Sequence, residues 1–148
     1  MDNLNAVEIL IVEDNPQDAE LTLRSLRKNN LGNKLYVVED GEEALDFIFC
    51  NGKYAERNIT SPPKVVFLDL KLPKVSGLEV LQKIKSNPLT KSMPVVMVTS
   101  SREDPDIRKA YELGVNSYVV KPVNFDDFLS AMSQTGLYWL FVNELPKS

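Results

Sequence analysis

Val65-Val66-Phe67-Leu68 and Val95-Val96-Met97-Val98 are apolar at every position. Successive side chains of a strand point to opposite faces, so a strand with one wet face alternates apolar and polar residues. Unbroken runs of this length need cover on both sides, as central strands of a parallel sheet have when helices flank it. Three further runs rich in β-branched residues, Val7–Val12, Leu35–Val38 and Tyr118–Val120, complete a set of five.

Longer amphipathic stretches separate the runs. Asn15-Pro16 caps and opens the first, with Ala19, Leu23 and Leu26 on one face. Gly41–Cys50 is the second. Ser76 and Glu79 form a capping box ahead of Leu78, Leu81 and Ile84. Asp104-Pro105 opens the fourth, with Ile107, Ala110 and Tyr111 inward and Gly114 as a left-handed stop. Asn124 opens the fifth, carrying Phe125, Phe128 and Met132. The polar stretch Asn51–Pro63 reads as the one long loop, its end held extended by Pro62-Pro63, and a simple tolerated insertion is one reading of it.

Five strands alternating with five helices predict a doubly wound α/β sheet, parallel because crossovers are right-handed. The 148 residues fit a single domain across 1–148, with a core over 7–132 and a helical extension over 133–145.

Composition narrows the function. Seventeen Lys and Arg against 21 Asp and Glu leave a net charge of −4, which argues against nucleic acid as the main partner. Histidine is absent, which removes the commonest general base and zinc ligand and rules out a phosphohistidine on this chain. Cys50, the single cysteine, excludes an internal disulfide. Met1-Asp2-Asn3-Leu4-Asn5 lacks the pattern of a signal peptide, and no apolar run is long enough to span a bilayer. A cytoplasmic protein is expected.

In doubly wound sheets the ligand site lies at the carboxyl ends of the strands. Glu13 and Asp14 follow the first run, Asp69 the third, Thr99-Ser100 the fourth and Lys121-Pro122 the fifth. Two carboxylates 4 Å apart repel by roughly 4 kcal/mol at an effective dielectric near 20, so such a cluster needs a cation. Oxygen ligands without His or Cys favour Mg2+. A carboxylate in that setting can attack phosphorus to give an aspartyl phosphate, with Mg2+ and a lysine neutralising the transferring oxygens. Taken singly, each residue has a plainer reading: the acidic pair as a helix N-terminal charge, Asp69 as a turn residue, Thr99 as a cap, Lys121 as a surface lysine. Their conjunction at one sheet edge carries the weight.

Ile9-Leu10-Ile11-Val12-Glu13-Asp14-Asn15, Phe67-Leu68-Asp69-Leu70-Lys71-Leu72-Pro73-Lys74-Val75-Ser76-Gly77, Val98-Thr99-Ser100 and Tyr118-Val119-Val120-Lys121-Pro122 resemble the receiver domains of bacterial two-component response regulators. The match runs from about Val7 to Phe128, and the 30-residue interval from Asp69 to Thr99 and the 52-residue interval to Lys121 are similar to the family's.

The resemblance implies a flavodoxin-like receiver fold with strand order 2-1-3-4-5. It implies Asp69 as phosphoacceptor and Glu13, Asp14, Asp69 and the Lys71 backbone carbonyl as Mg2+ ligands, Asp14 the more direct. It further implies Thr99 as switch hydroxyl, Tyr118 as switch aromatic, Lys121 as the phosphoryl-binding lysine and a cis Lys121-Pro122 bond. Lys71 and Ser101 match positions that tune hydrolysis of the phosphoryl group. The Asn51–Pro63 loop and the tail Gly136-Leu137-Tyr138-Trp139-Leu140-Phe141 look like those of stand-alone regulators paired with cyanobacterial phytochromes and related sensor kinases.

The implied partner is a sensor histidine kinase of phytochrome type. Because the chain ends at Ser148, the expected output is a protein–protein event or a phosphoryl relay, and no separate output domain is expected. The six apolar residues Leu137–Val142 require burial on more than one side, against the domain itself or in a homodimer or kinase-docking surface. The surface of the fourth helix, fifth strand and fifth helix is the other dimer candidate.

Rival readings are weaker. Aspartyl-phosphate phosphatases usually place an acid two residues after the nucleophile, where this chain has Lys71. No glycine-rich phosphate loop follows the first strand, against a dinucleotide fold. A phosphate-independent adaptor would have no need of all five site residues.

Overall fold

A computed structural model describes residues 3–28 and 34–121. Five strands, β1 (Ile9–Val12), β2 (Leu35–Val38), β3 (Val65–Leu68), β4 (Val95–Thr99) and β5 (Ser117–Val120), form one parallel sheet in the order β2-β1-β3-β4-β5. Four α-helices are described: α1 (Pro16–Lys28), α2 (Gly41–Phe49), α3 (Gly77–Ser86) and α4 (Asp104–Glu112). The helix expected from Asn124, the Lys121-Pro122 bond and the apolar segment Leu137–Val142 lie outside the described residues.

The unbroken apolar runs do what their pattern requires. Leu10, Val12, Val66, Leu68, Val95 and Met97 join one core with residues of α2, α3 and α4. The intervening Ile9, Ile11, Val65, Phe67, Val96 and Val98 join a second core with Leu26 of α1. One strand therefore feeds two cores by simple alternation.

Helix starts follow the sequence signals. Asn15 Oδ1 accepts from the backbone N–H of Gln17 and Asp18 at 2.9 and 3.1 Å, ahead of Pro16 at the first helical position. Ser76 Oγ accepts from Glu79 N at 3.3 Å, and Gly114 (φ +98°) stops the chain after α4. Other readings need correction. Tyr111, expected inward, is 53% exposed: Ala110 and Leu113 turn toward the core, and Tyr111 falls one residue round the helix from Ala110. Val7 is buried, yet the parallel ladder begins only at Ile9.

Asn51–Pro63 is more than a tolerated insertion. It contains a 3-10 turn (Gly52–Tyr54), and Tyr54 and Arg57 are buried. Tyr54 donates to Glu43 Oε2 at 2.6 Å and its ring packs edge-on to Phe47. The Arg57 guanidinium stacks on Phe47 and donates to the carbonyls of Leu4, Phe47 and Ser61. A buried charge is tolerable only with such partners.

Candidate functional site

Backbone pairing brings the site residues to one edge. Val12 and Leu68 are register partners, and the ladder continues past them: Asp69 N donates to the Val12 carbonyl at 3.1 Å and Glu13 N to Val38 at 3.0 Å. Across the sheet, Lys121 N donates to the Thr99 carbonyl at 2.8 Å. Four of the expected residues are thereby fixed at the backbone by strand pairing, so their side chains all start from the same edge.

The centre is Lys121. Its ammonium donates to Asp69 Oδ2 at 2.9 Å, to Asp18 Oδ2 at 3.0 Å and to Glu13 Oε1. Glu13 and Asp69 are buried, and Asp14 is exposed beside them. Carboxylate oxygens of Glu13, Asp14 and Asp69 lie within 4.8 Å of one another. That all-oxygen donor set fits a hard divalent cation, which takes carboxylate and carbonyl ligands. Lys71 meets Asp69 through its backbone N–H, which donates to Asp69 Oδ1 at 3.3 Å.

Thr99 is 1% exposed, and its hydroxyl accepts from Ser101 N at 3.4 Å. Ser101 is buried, and its hydroxyl donates to Asp106 on α4. The half-buried Tyr118 donates its hydroxyl proton to the Ser101 carbonyl at 3.0 Å, which ties β5 to the segment after β4. Asp18 was not legible as a site residue. The available signal was its position: α1 opens directly after the acidic pair, so an acid in its first turn overlooks the same edge.

One ammonium cannot neutralise this many carboxylates. Burial works against the charge on Lys121, but its hydrogen bonds to Asp69, Glu13 and Asp18 prevail and hold it above the ordinary lysine range. Glu13 takes the opposite consequence. Burial, with repulsion from Asp69, pushes it up to about 7 from 4.5 in spite of the Lys121 bond. Between those values the folded chain binds more protons than the unfolded chain, so stability falls as pH rises. Metal-free protein is expected to lose up to about 3 kcal/mol from pH 4.5 to above 7, and Glu13→Gln to flatten that slope. Urea midpoints measured in chelator across this range check it; parallel slopes in the two proteins would refute the assignment.

Among the described residues no helix is long and apolar enough to cross a membrane.

Comparison with known proteins agrees with the geometry. Residues 9–133 match the response regulator receiver domain family. A probable methanogenesis regulatory protein, FilR2 of Methanothrix harundinacea, is 39% identical over 93% of this chain and 86% of its own. Response regulator Rcp1 of Synechocystis is 37% identical over 93% of this chain and 92% of its own. Among solved structures, the bacteriophytochrome response regulator RtBRR is 51% identical with a TM-score of 0.81, covering 93% of this chain and 82% of that one. The Mn2+-bound form of Rcp1 is 36% identical with a TM-score of 0.76, covering 94% of this chain and 98% of that one. With the family match spanning residues 9–133 and relatives of 37–39% identity along most of its length, the protein belongs to the response regulator receiver domain family.

Proposed function

We propose that the chain works as a receiver that takes a phosphoryl group onto Asp69 and signals by changing a protein-binding surface. The observation that carries this is the Lys121 ammonium 2.9 Å from Asp69 Oδ2 inside a buried acidic edge. A receiver domain implies a histidine kinase as partner. The likeness to the bacteriophytochrome response regulator RtBRR supports a kinase of phytochrome type.

In this reading Glu13, Asp14, Asp69 and the Lys71 carbonyl hold Mg2+, which supplies charge neutralisation at the phosphoryl oxygens. A carboxylate oxygen of Asp69 attacks phosphorus as the bond to the donor breaks, and the electron pair leaves with the donor. Lys121 donates to the phosphoryl oxygens and lowers the cost of their charge. The chain acts on no further substrate: phosphotransfer and hydrolysis at Asp69 are its only chemistry. A cytoplasmic place of action belongs to the same proposal. The test is intact mass after treatment with a small phosphodonor, with one phosphoryl group gained only when Mg2+ is present.

The switch runs through Thr99 and Tyr118. A phosphoryl group on Asp69 draws in the Thr99 hydroxyl, which lets go of Ser101 N, and Tyr118 turns inward from the Ser101 carbonyl. This repacks the surface of α4 and β5, where exposed Tyr111 offers a homodimer or partner contact. Moving such an equilibrium from about 1:99 to 99:1 takes roughly 5.5 kcal/mol of differential stabilisation. Thr99→Ala is expected to accept phosphate yet lose most of the phosphorylation-dependent gain in partner or self-association, at least about tenfold. Sedimentation of phosphorylated wild type and variant measures this; equal responses would remove Thr99 from the mechanism.

A further inference from the structure

Lys121 has three N–H bonds and spends them on three carboxylates, those of Glu13, Asp69 and Asp18. Asp18 stands on the first turn of α1, outside the acidic group that fits a cation. The three partners differ in exposure: the Glu13 side chain is 6% exposed, that of Asp69 11% and that of Asp18 36%. When Asp69 carries a phosphoryl group, the Lys121 N–H on Asp69 follows the charge to a phosphoryl oxygen, and a second phosphoryl contact takes an N–H from Glu13 or Asp18. Glu13 lies buried in the acidic group that fits the cation, whereas Asp18 lies outside that group and its release returns a carboxylate to water.

We infer that Asp18 is a latch on Lys121, a positioning residue that restrains the lysine at rest and is the partner it gives up when phosphoryl oxygens arrive. This rests on the reading of Asp69 as phosphoacceptor. The transfer itself is unchanged: the Asp69 oxygen–phosphorus bond forms, the phosphorus–donor bond breaks, and the electron pair leaves with the donor. Asp18 alters only the competition for Lys121. Its charge also faces the place where phosphoryl charge accumulates, so it opposes the phosphorylated state by repulsion as well.

The experiment is a titration of the full chain with beryllofluoride, a phosphoryl mimic, in Mg2+ at low ionic strength. Dissociation constants are compared for wild type, Asp18→Asn and Asp18→Ala. Removing the latch is expected to tighten binding by about threefold to tenfold, the range of a partly exposed ion pair, with the gap closing as salt is added. The rise in Tm on adding beryllofluoride is expected to be larger in both variants than in wild type. A residue that merely supports the fold would leave affinity unchanged or weaken it, and either result overturns the latch. Wild type that binds no beryllofluoride would instead overturn the phosphoacceptor reading beneath it.

Discussion

Replacing Asp69 with Asn is expected to abolish Mg2+-dependent phosphoryl gain while the protein stays folded. The amide has the volume of the carboxylate and can still accept from Lys121, whose ammonium lies 2.9 Å away. It has no nucleophilic charge to offer phosphorus, so incorporation should fall on the order of 10^3-fold or more. The variant also relieves crowding among Glu13, Asp14 and Asp69, so its Tm should match or exceed that of wild type. Mass spectrometry of both proteins after equal exposure to a small phosphodonor decides the matter. Equal gain in the variant would place the phosphoryl group elsewhere.

Gly77→Ala is the second large effect, and it acts through backbone. A Cβ on Gly77 would lie 2.0 Å from the Asp69 carbonyl oxygen and 2.8 Å from Leu70 Cα. Neither is the yielding end of a flexible side chain. The same approach lets Gly77 N donate to the Leu70 carbonyl at 2.8 Å, which pins the start of α3 against the end of β3. Overpacking of this severity costs about 3 kcal/mol, which in a chain of this size lowers Tm by roughly 6–12 °C. Because the atom displaced belongs to Asp69, phosphorylation should slow along with the loss of stability. A variant melting within about 1 °C of wild type would mean that α3 does not approach β3 this closely.

The sheet was legible because its signal is local. Four or five apolar residues in a row report burial on both faces, and turn chemistry at Asn15-Pro16 and Ser76 reports where helices begin. The site was legible because the fold rule points to strand ends: Glu13, Asp69 and Lys121 each follow a strand, and Thr99 is the last residue of one. What escaped depends on partners distant in the chain. Tyr54 and Arg57 look like loop residues, and they are buried through Phe47, Glu43 and Leu4, which no local period reveals. Asp18 reads as an ordinary helix-start acid until β5 delivers Lys121 to it across 103 positions. Tyr111 misled because a helical stripe with only Ala110 fully buried is narrower than the apolar residues along it suggest.

The buried Arg57 has a kinetic consequence. Its bond to the Leu4 carbonyl and that of Asn58 N to Asn5 Oδ1 each join residues 53 apart in sequence. Closing so wide a loop gains little until β1 and β3 lie side by side, so this clasp is expected to close with or after that pairing. Interactions made after the transition state leave the folding rate alone and slow the reverse step. The segment after α2 is therefore expected to brake unfolding, so that disrupting it speeds unfolding more than it slows folding.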